Sequence, residues 1–217
     1  WDQNPTLGID DFKFDFKKMS VSGSLFDLEK LLNISKSYIS RLKASDVYDK
    51  ALQWANEFDH DFAAILEKYK DYSIAILNIE REQKKPRKDF ESFSSIKKNI
   101  WYMYDELFTG DLSYDFGKIQ DKEEIKAILK SYIEKYYLDT DDKETWFNKI
   151  KELSNELGYC SDMKEYKTNP DKYKGSVADV STVIRVATTT SSMTPDLYEI
   201  LRLLGKERIK NRFERFM

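Results

Sequence analysis

The chain has 217 residues, 41% hydrophobic and 35% charged, enough to close the core of one large domain or two small ones. Its 7 Gly and 4 Pro are too few for a barrel or sandwich of many short strands. One Cys and one His exclude an internal disulfide framework and a multi-Cys/His zinc site, and 36 basic against 39 acidic residues (net −3) argue against a globally basic nucleic-acid binder.

The chain opens on Trp1 rather than Met, which suggests a piece of a longer polypeptide. Residues 1–23 are irregular, with one period-two stretch, Phe12-Lys13-Phe14-Asp15-Phe16, that predicts a short strand. Ser24 followed by Asp27 resembles a helix cap and predicts a short helix over 25–32. A clearer helix starts at Ser45, with Val47, Ala51, Trp54, Ala55 and Phe58 on one face. Further helices are predicted over 62–69 and 72–79, and residues 81–89, with Pro86 inside a basic run, read as a loop. Phe93, Ile96, Ile100, Met103, Tyr104 and Leu107 then keep helical register. Asp121 caps a helix carrying Ile125, Ile128, Leu129, Tyr132, Ile133 and Tyr136, and the acidic residues 139–142 break it. Trp146, Phe147, Ile150, Leu153 and Leu157 mark the next helix, with Gly158 as its stop. After a polar loop over 166–174, Ser176 caps a helix through Val177, Val180, Ile184 and Ala187. Thr194-Pro195-Asp196 supplies a cap, a first-turn proline and an acid for a helix with Leu197, Ile200, Leu201 and Leu204, stopped by Gly205. The prediction is an all-α fold of two helical bundles in tandem, divided near residues 138–143, behind a short irregular N-terminal segment.

The chemistry-bearing residues are sparse. Lys18-Met19-Ser20-Val21-Ser22 resembles the KMSKS loop of class I aminoacyl-tRNA synthetases, but Val21 replaces the second lysine. There is also no HIGH-like element and no glycine-rich phosphate cradle, so the stretch reads as a chance likeness. Asp59-His60-Asp61 reads as a helix start rather than an acid–base triad, and Cys160 as a packing residue, with no basic partner beside it. No catalytic or metal-binding residue is predicted. The charge is nevertheless segregated. Residues 81–98 hold seven basic side chains against three acidic ones, and residues 206–217 hold five against two. Such segregation permits a polyanion-binding face on an acidic protein. Most of the 14 Tyr and 13 Phe lie on apolar stripes and read as core.

From Tyr173 the chain reads Tyr-Lys-Gly-Ser-Val-Ala-Asp-Val-Ser-Thr-Val-Ile-Arg-Val-Ala-Thr-Thr-Thr, followed by Met193-Thr194-Pro195-Asp196-Leu197-Tyr198-Glu199-Ile200-Leu201 and Leu204-Gly205-Lys206-Glu207-Arg208. This closely resembles the C-terminal anticodon-binding region of bacterial glutamyl-tRNA synthetases. The stretches running from Ser22-Gly23-Ser24 to Lys30-Leu31 and Lys85-Pro86-Arg87-Lys88-Asp89 are similar to family segments in the same order, so the resemblance covers essentially the whole chain. It implies that the catalytic domain lies N-terminal to everything here. It also implies that 1–23 ends a stem-contact region, and that 24–140 and 141–217 are two helical anticodon-binding subdomains. Carried over by position, it implies RNA contacts at Arg185, Thr194, Pro195 and Leu197, with Arg87 from the preceding bundle. Arginine offers a donor fork, a helix start offers free amides, and Pro and Leu offer an apolar rest for an unstacked base. The implied partners are a glutamate-accepting tRNA and the catalytic domain of the same polypeptide, with no DNA and no membrane. The chain is expected to hold no cofactor. The complete enzyme is expected to be a cytoplasmic monomer using ATP and magnesium to join glutamate to tRNA. One departure is Thr190, where many family members carry glycine. The alternative is a helical protein–protein interaction module that does not bind RNA.

Overall fold

A computed structural model describes residues 4, 7, 9–11, 13–19 and 26–217. Within them the chain forms ten α-helices and no strand; Cys160 and Ser176 alone pair, in a single parallel bridge. The all-α expectation therefore holds. The expected strand over 12–16 does not form where it is described: residues 13–15 are irregular, Phe16–Lys18 is a 3-10 turn, and Phe12 lies outside the described residues. Phe14 and Phe16 are both exposed, so no buried face rewards a pleated arrangement there.

Helix α1 (Leu28–Arg41) is longer than expected and starts one residue after Asp27, whose carboxylate accepts the Lys30 amide at 3.0 Å. Ser24, the expected cap, lies outside the described residues. Helices α2 (Ala44–Phe58), α3 (His60–Lys68) and α4 (Lys70–Leu77) follow closely. Asp59 caps α3 through the Phe62 amide at 3.1 Å, the role its position predicts. These three helices pack on one another through Val47, Ala51, Ala55, Phe62, Leu66 and Leu77.

The single helix expected over 93–107 is instead a 3-10 turn (Phe93–Ser95), a short α5 (Ile96–Ile100) and a second 3-10 turn (Trp101–Met103). Tyr102, Met103 and Tyr104 are all buried, and no single helix face buries three consecutive side chains. The backbone unwinds there to point each of them inward.

Helix α6 (Lys122–Ser131) is capped by Asp121 and runs into a π-helical turn, Tyr132–Tyr136. Helix α7 (Lys143–Glu156) is capped by Asp142 and closed by Gly158 in the left-handed region at φ +85°. The polar stretch expected as loop holds a short α8 (Met163–Thr168) and a 3-10 turn (Pro170–Lys172). Helix α9 (Val177–Thr189) begins at Ser176, whose amide and hydroxyl both donate to the Asp179 carboxylate at 2.8 Å. Helix α10 (Leu197–Phe213) contains a break at Gly205 (φ +73°), so the expected stop is a kink from which the helix resumes. Helices α6, α7, α9 and α10 pack together, while α10 also touches α4 and α9 touches the 101–103 turn. One buried core therefore runs from Ile39 to Phe213.

The left-handed turn after α9 falls on Thr190 at φ +65°. A β-branched side chain is strained there, and glycine is not. Replacing Thr190 by glycine is expected to stabilise the protein by about 0.5–1 kcal/mol, after the extra backbone entropy glycine gives the unfolded chain. In thermal unfolding that is a rise of about 1–4 °C in Tm. A lowered Tm would mean that the threonine's own contacts outweigh the strain.

Candidate nucleic-acid interface

The end of α9 and the start of α10 converge on one corner. Arg185, in the last turns of α9, donates from Nη1 to the Thr194 hydroxyl and to the Pro195 carbonyl oxygen at 2.8 Å. Thr194, only 9% exposed, donates its own hydroxyl hydrogen bond to the same carbonyl at 3.0 Å. This pairing corrects the expected cap: Thr194 is occupied by Arg185, and Asp196 starts α10, accepting the Glu199 amide at 3.1 Å. Nε and Nη2 of Arg185 make no hydrogen bond among the described residues, which leaves a two-donor edge unused. Burial pulls the guanidinium's pKa down from its ordinary value, foremost by desolvation, with Asp196 opposing.

Thr194 and Pro195 also line a cleft of about 250 Å³, and Arg87 lines it as well. Trp101 and the 83% exposed Met193 supply apolar surface to it. Arg87 Nε is held by both Asp89 oxygens at 2.7 and 2.8 Å, and its Nη1 lies 3.7 Å from Glu80. Glu80, itself at φ +53°, accepts the Asp196 amide at 3.1 Å and so ties the 81–89 loop to the start of α10. Lys143 reaches the Asp196 carboxylate at 2.5 Å.

Three of the five expected residues, Arg87, Thr194 and Pro195, thus share one cleft. Arg185 reaches it from behind, through its bonds to two of them, and opens onto a neighbouring groove walled by Trp146, Phe147 and Tyr198. Leu197 lies on that groove and is only 4% exposed, so most of its surface belongs to the core. Glu80, Asp89, Trp101 and Met193 were not singled out from the sequence; they join the site from segments about a hundred residues apart, and no local pattern marks them. Donor forks beside aromatic and apolar faces suit the edges and faces of unstacked bases.

His60 sits exposed at the start of α3, the helix start read from the sequence, and Cys160 is buried and bonds the Asp162 carbonyl oxygen at 3.1 Å. Of Lys18-Met19-Ser20-Val21-Ser22, the first two are exposed and the rest lie outside the described residues. Among the described residues no group of His, Cys, Asp and Glu is placed to hold a metal ion, and no helix is long and apolar enough to cross a membrane.

Residues 167–217 match the family model described as anticodon binding domain. The chain is 43% identical over 215 residues to a glutamate–tRNA ligase of Acetivibrio thermocellus, covering 99% of this chain and 39% of that protein. It is 40% identical over 217 residues to one of Clostridium perfringens, with the same coverages. To one of Sorangium cellulosum it is 33% identical over 214 residues, covering 99% and 37%. The chain therefore spans about two fifths of the length of the curated relatives it matches. Over 99% of its length the chain is thus similar to glutamate–tRNA ligases, and its residues 167–217 match an anticodon-binding family model.

Proposed function

We propose that this chain is the anticodon-reading part of a glutamate–tRNA ligase, gripping the tRNA anticodon stem-loop so that the acceptor end reaches a catalytic domain of the same polypeptide. The reading rests above all on the unused Nε and Nη2 edge of Arg185, fixed by the Nη1 bonds to Thr194 and Pro195. Arg185 and Thr194 read a base edge, Pro195 supports a base face with buried Leu197 backing it from the core, and Arg87 contacts the strand from the 81–89 loop. Residues 1–23 end a stem-contact region. The subdomains 24–140 and 141–217 act as one platform, since the same core runs through both. The complete ligase is a cytoplasmic monomer that joins glutamate to a glutamate-accepting tRNA with ATP and magnesium, while this chain holds no cofactor of its own.

The test is binding of the chain to an unmodified tRNA transcript for glutamate and to the same transcript with a changed anticodon, each at low and raised salt. Binding is expected to weaken steeply with salt, as displaced counterions require, and to be weaker for the changed anticodon. Binding that ignores both salt and anticodon would overturn the reading in favour of a helical protein-docking module.

A further inference from the structure

The 81–89 loop has two sides. Arg87 and Asp89 line the cleft described above, whereas Lys84 and Lys88 turn to a second groove of about 700 Å³, bounded across from them by Arg41 and Lys43 at the junction of α1 and α2. Buried Arg81 lines both cavities, so only the thickness of the loop separates them. It also anchors the loop, donating to the Leu77 carbonyl oxygen at 2.7 Å and to that of Ile39 at 2.6 Å. Gln83 stiffens the tip through the carbonyl oxygens of Glu80 and Lys85, at 3.3 and 3.0 Å.

Basic residues dominate this groove, where Arg41, Lys43, Arg81, Lys84 and Lys88 face one acid. Its one lining acid, Glu82, is engaged by the Ala44 amide at 3.1 Å. Lys43, Lys84 and Lys88 form no ion pair among the described residues, and Lys88 donates only to the Ser37 hydroxyl at 2.9 Å. The other basic runs are closer to balance. Lys97 pairs with Asp59, Arg208 and Arg212 pair with Asp105, and the groove lined by Lys126, Lys130, Lys206 and Lys210 also carries Glu134 and Glu214. Of the 81–98 run, Lys84, Lys85, Lys88 and Lys98 are exposed and form no ion pair among the described residues, and Lys84 and Lys88 line this groove together with Lys43.

We infer that this groove binds the phosphodiester backbone of the RNA strand whose bases enter the neighbouring cleft. The inference rests on the function proposed above. Lysines are compact point charges on flexible stems and suit successive phosphates better than base edges, so the groove sets the strand's register while the cleft reads its sequence.

The test measures binding of the full chain to the glutamate tRNA transcript and to its anticodon-changed form across a salt series. A K43Q/K84Q/K88Q variant is expected to weaken both RNAs by the same factor, about tenfold or more at low salt, and to flatten the slope of log K against log salt by about 2. A K122Q/K164Q/K167Q variant, which removes the same charge from other exposed helix positions, is expected to bind like the parent. If the parent discriminates anticodons but the groove variant binds as tightly as it does, the groove is refuted and the anticodon reading stands. Equal losses in both triple variants would reduce the effect to net charge and also refute the groove. Loss of anticodon discrimination with an unchanged salt slope would place the lysines in base reading and overturn the backbone assignment. A parent chain that does not discriminate removes the reading on which the inference rests.

Discussion

Replacing Arg212 by alanine is expected to destabilise the fold by about 3 kcal/mol, through a lost charged hydrogen bond together with lost packing. Arg212 is 3% exposed and donates from Nη1 to the Thr188 carbonyl oxygen at 2.5 Å, one of the last carbonyls of α9. Those carbonyls have no partner within their own helix and sit at its negative end, so a buried cation there serves as both donor and counter-charge. Its stem and guanidinium also cover Phe108, 4.1 Å from the ring centroid. Against this stands the desolvation that lowers the Arg212 pKa, and an Nε with no partner. The nearby Asp105 is 56% exposed on its side chain, so its ion pair, at 3.2 Å, is mostly wet and weak. The ranking follows from these contributions. Arg212→Met keeps most of the volume and sheds the buried charge, so it should lose about 1–2 kcal/mol, less than alanine, while Asp105→Asn should lose under about 1 kcal/mol. Urea unfolding of the three variants checks the order. Asp105→Asn equalling Arg212→Ala would show that the ion pair, not the cap on α9, holds this corner.

Much of the helix plan was legible because it is written locally. Asp59, Asp121 and the Ser176–Asp179 pair each announce a helix start within four residues, and Gly158 announces a stop by the one conformation it adopts without strain. Where tertiary packing outvotes local pattern, the reading fails. Phe93 to Leu107 keeps helical spacing, yet Tyr102, Met103 and Tyr104 are all drawn inward, which a helix cannot accommodate. Thr194 has the chemistry of a cap, but Arg185 takes its hydroxyl and the task passes to Asp196. Composition likewise counts Arg81 and Arg212 as surface charge, whereas both are buried and bound to backbone carbonyls. Burial depends on contacts across the chain, and a charge count along the sequence cannot register it.

The residues of the candidate site were singled out only through family resemblance, and the structure brings only some of them together. Arg185, Thr194 and Pro195 are close in sequence, and a helix followed by a turn brings them together almost unaided. Arg87 reaches the cleft from a hundred residues earlier, held by Asp89 and by a Glu80 that also binds the Asp196 amide. That coupling is long-range, and no periodicity encodes it. Thr190 shows the converse: the resemblance leads one to expect glycine there, and the threonine's backbone takes the left-handed turn that glycine favours.

The largest expected effect on recognition lies at Arg185. Its Nη1 is committed to Thr194 and Pro195, and only Nε and Nη2 remain to meet a base. Arg185→Ala should cost about 1–3 kcal/mol of binding to the glutamate transcript, roughly a 5–150-fold loss, and should erase the difference between it and the anticodon-changed form. It should also cost about 1 kcal/mol of stability, because the 194–195 turn loses its tie to α9. These two consequences are separable. Arg185→Lys keeps a positive charge near the strand but not the planar fork, so it should hold the salt slope of the parent while losing most of the anticodon preference. A purely structural role would instead lower affinity for both transcripts by one common factor, following the loss in Tm. Retained discrimination in Arg185→Lys would assign base reading to Arg87 and Thr194, and would leave Arg185 as the residue that positions Thr194.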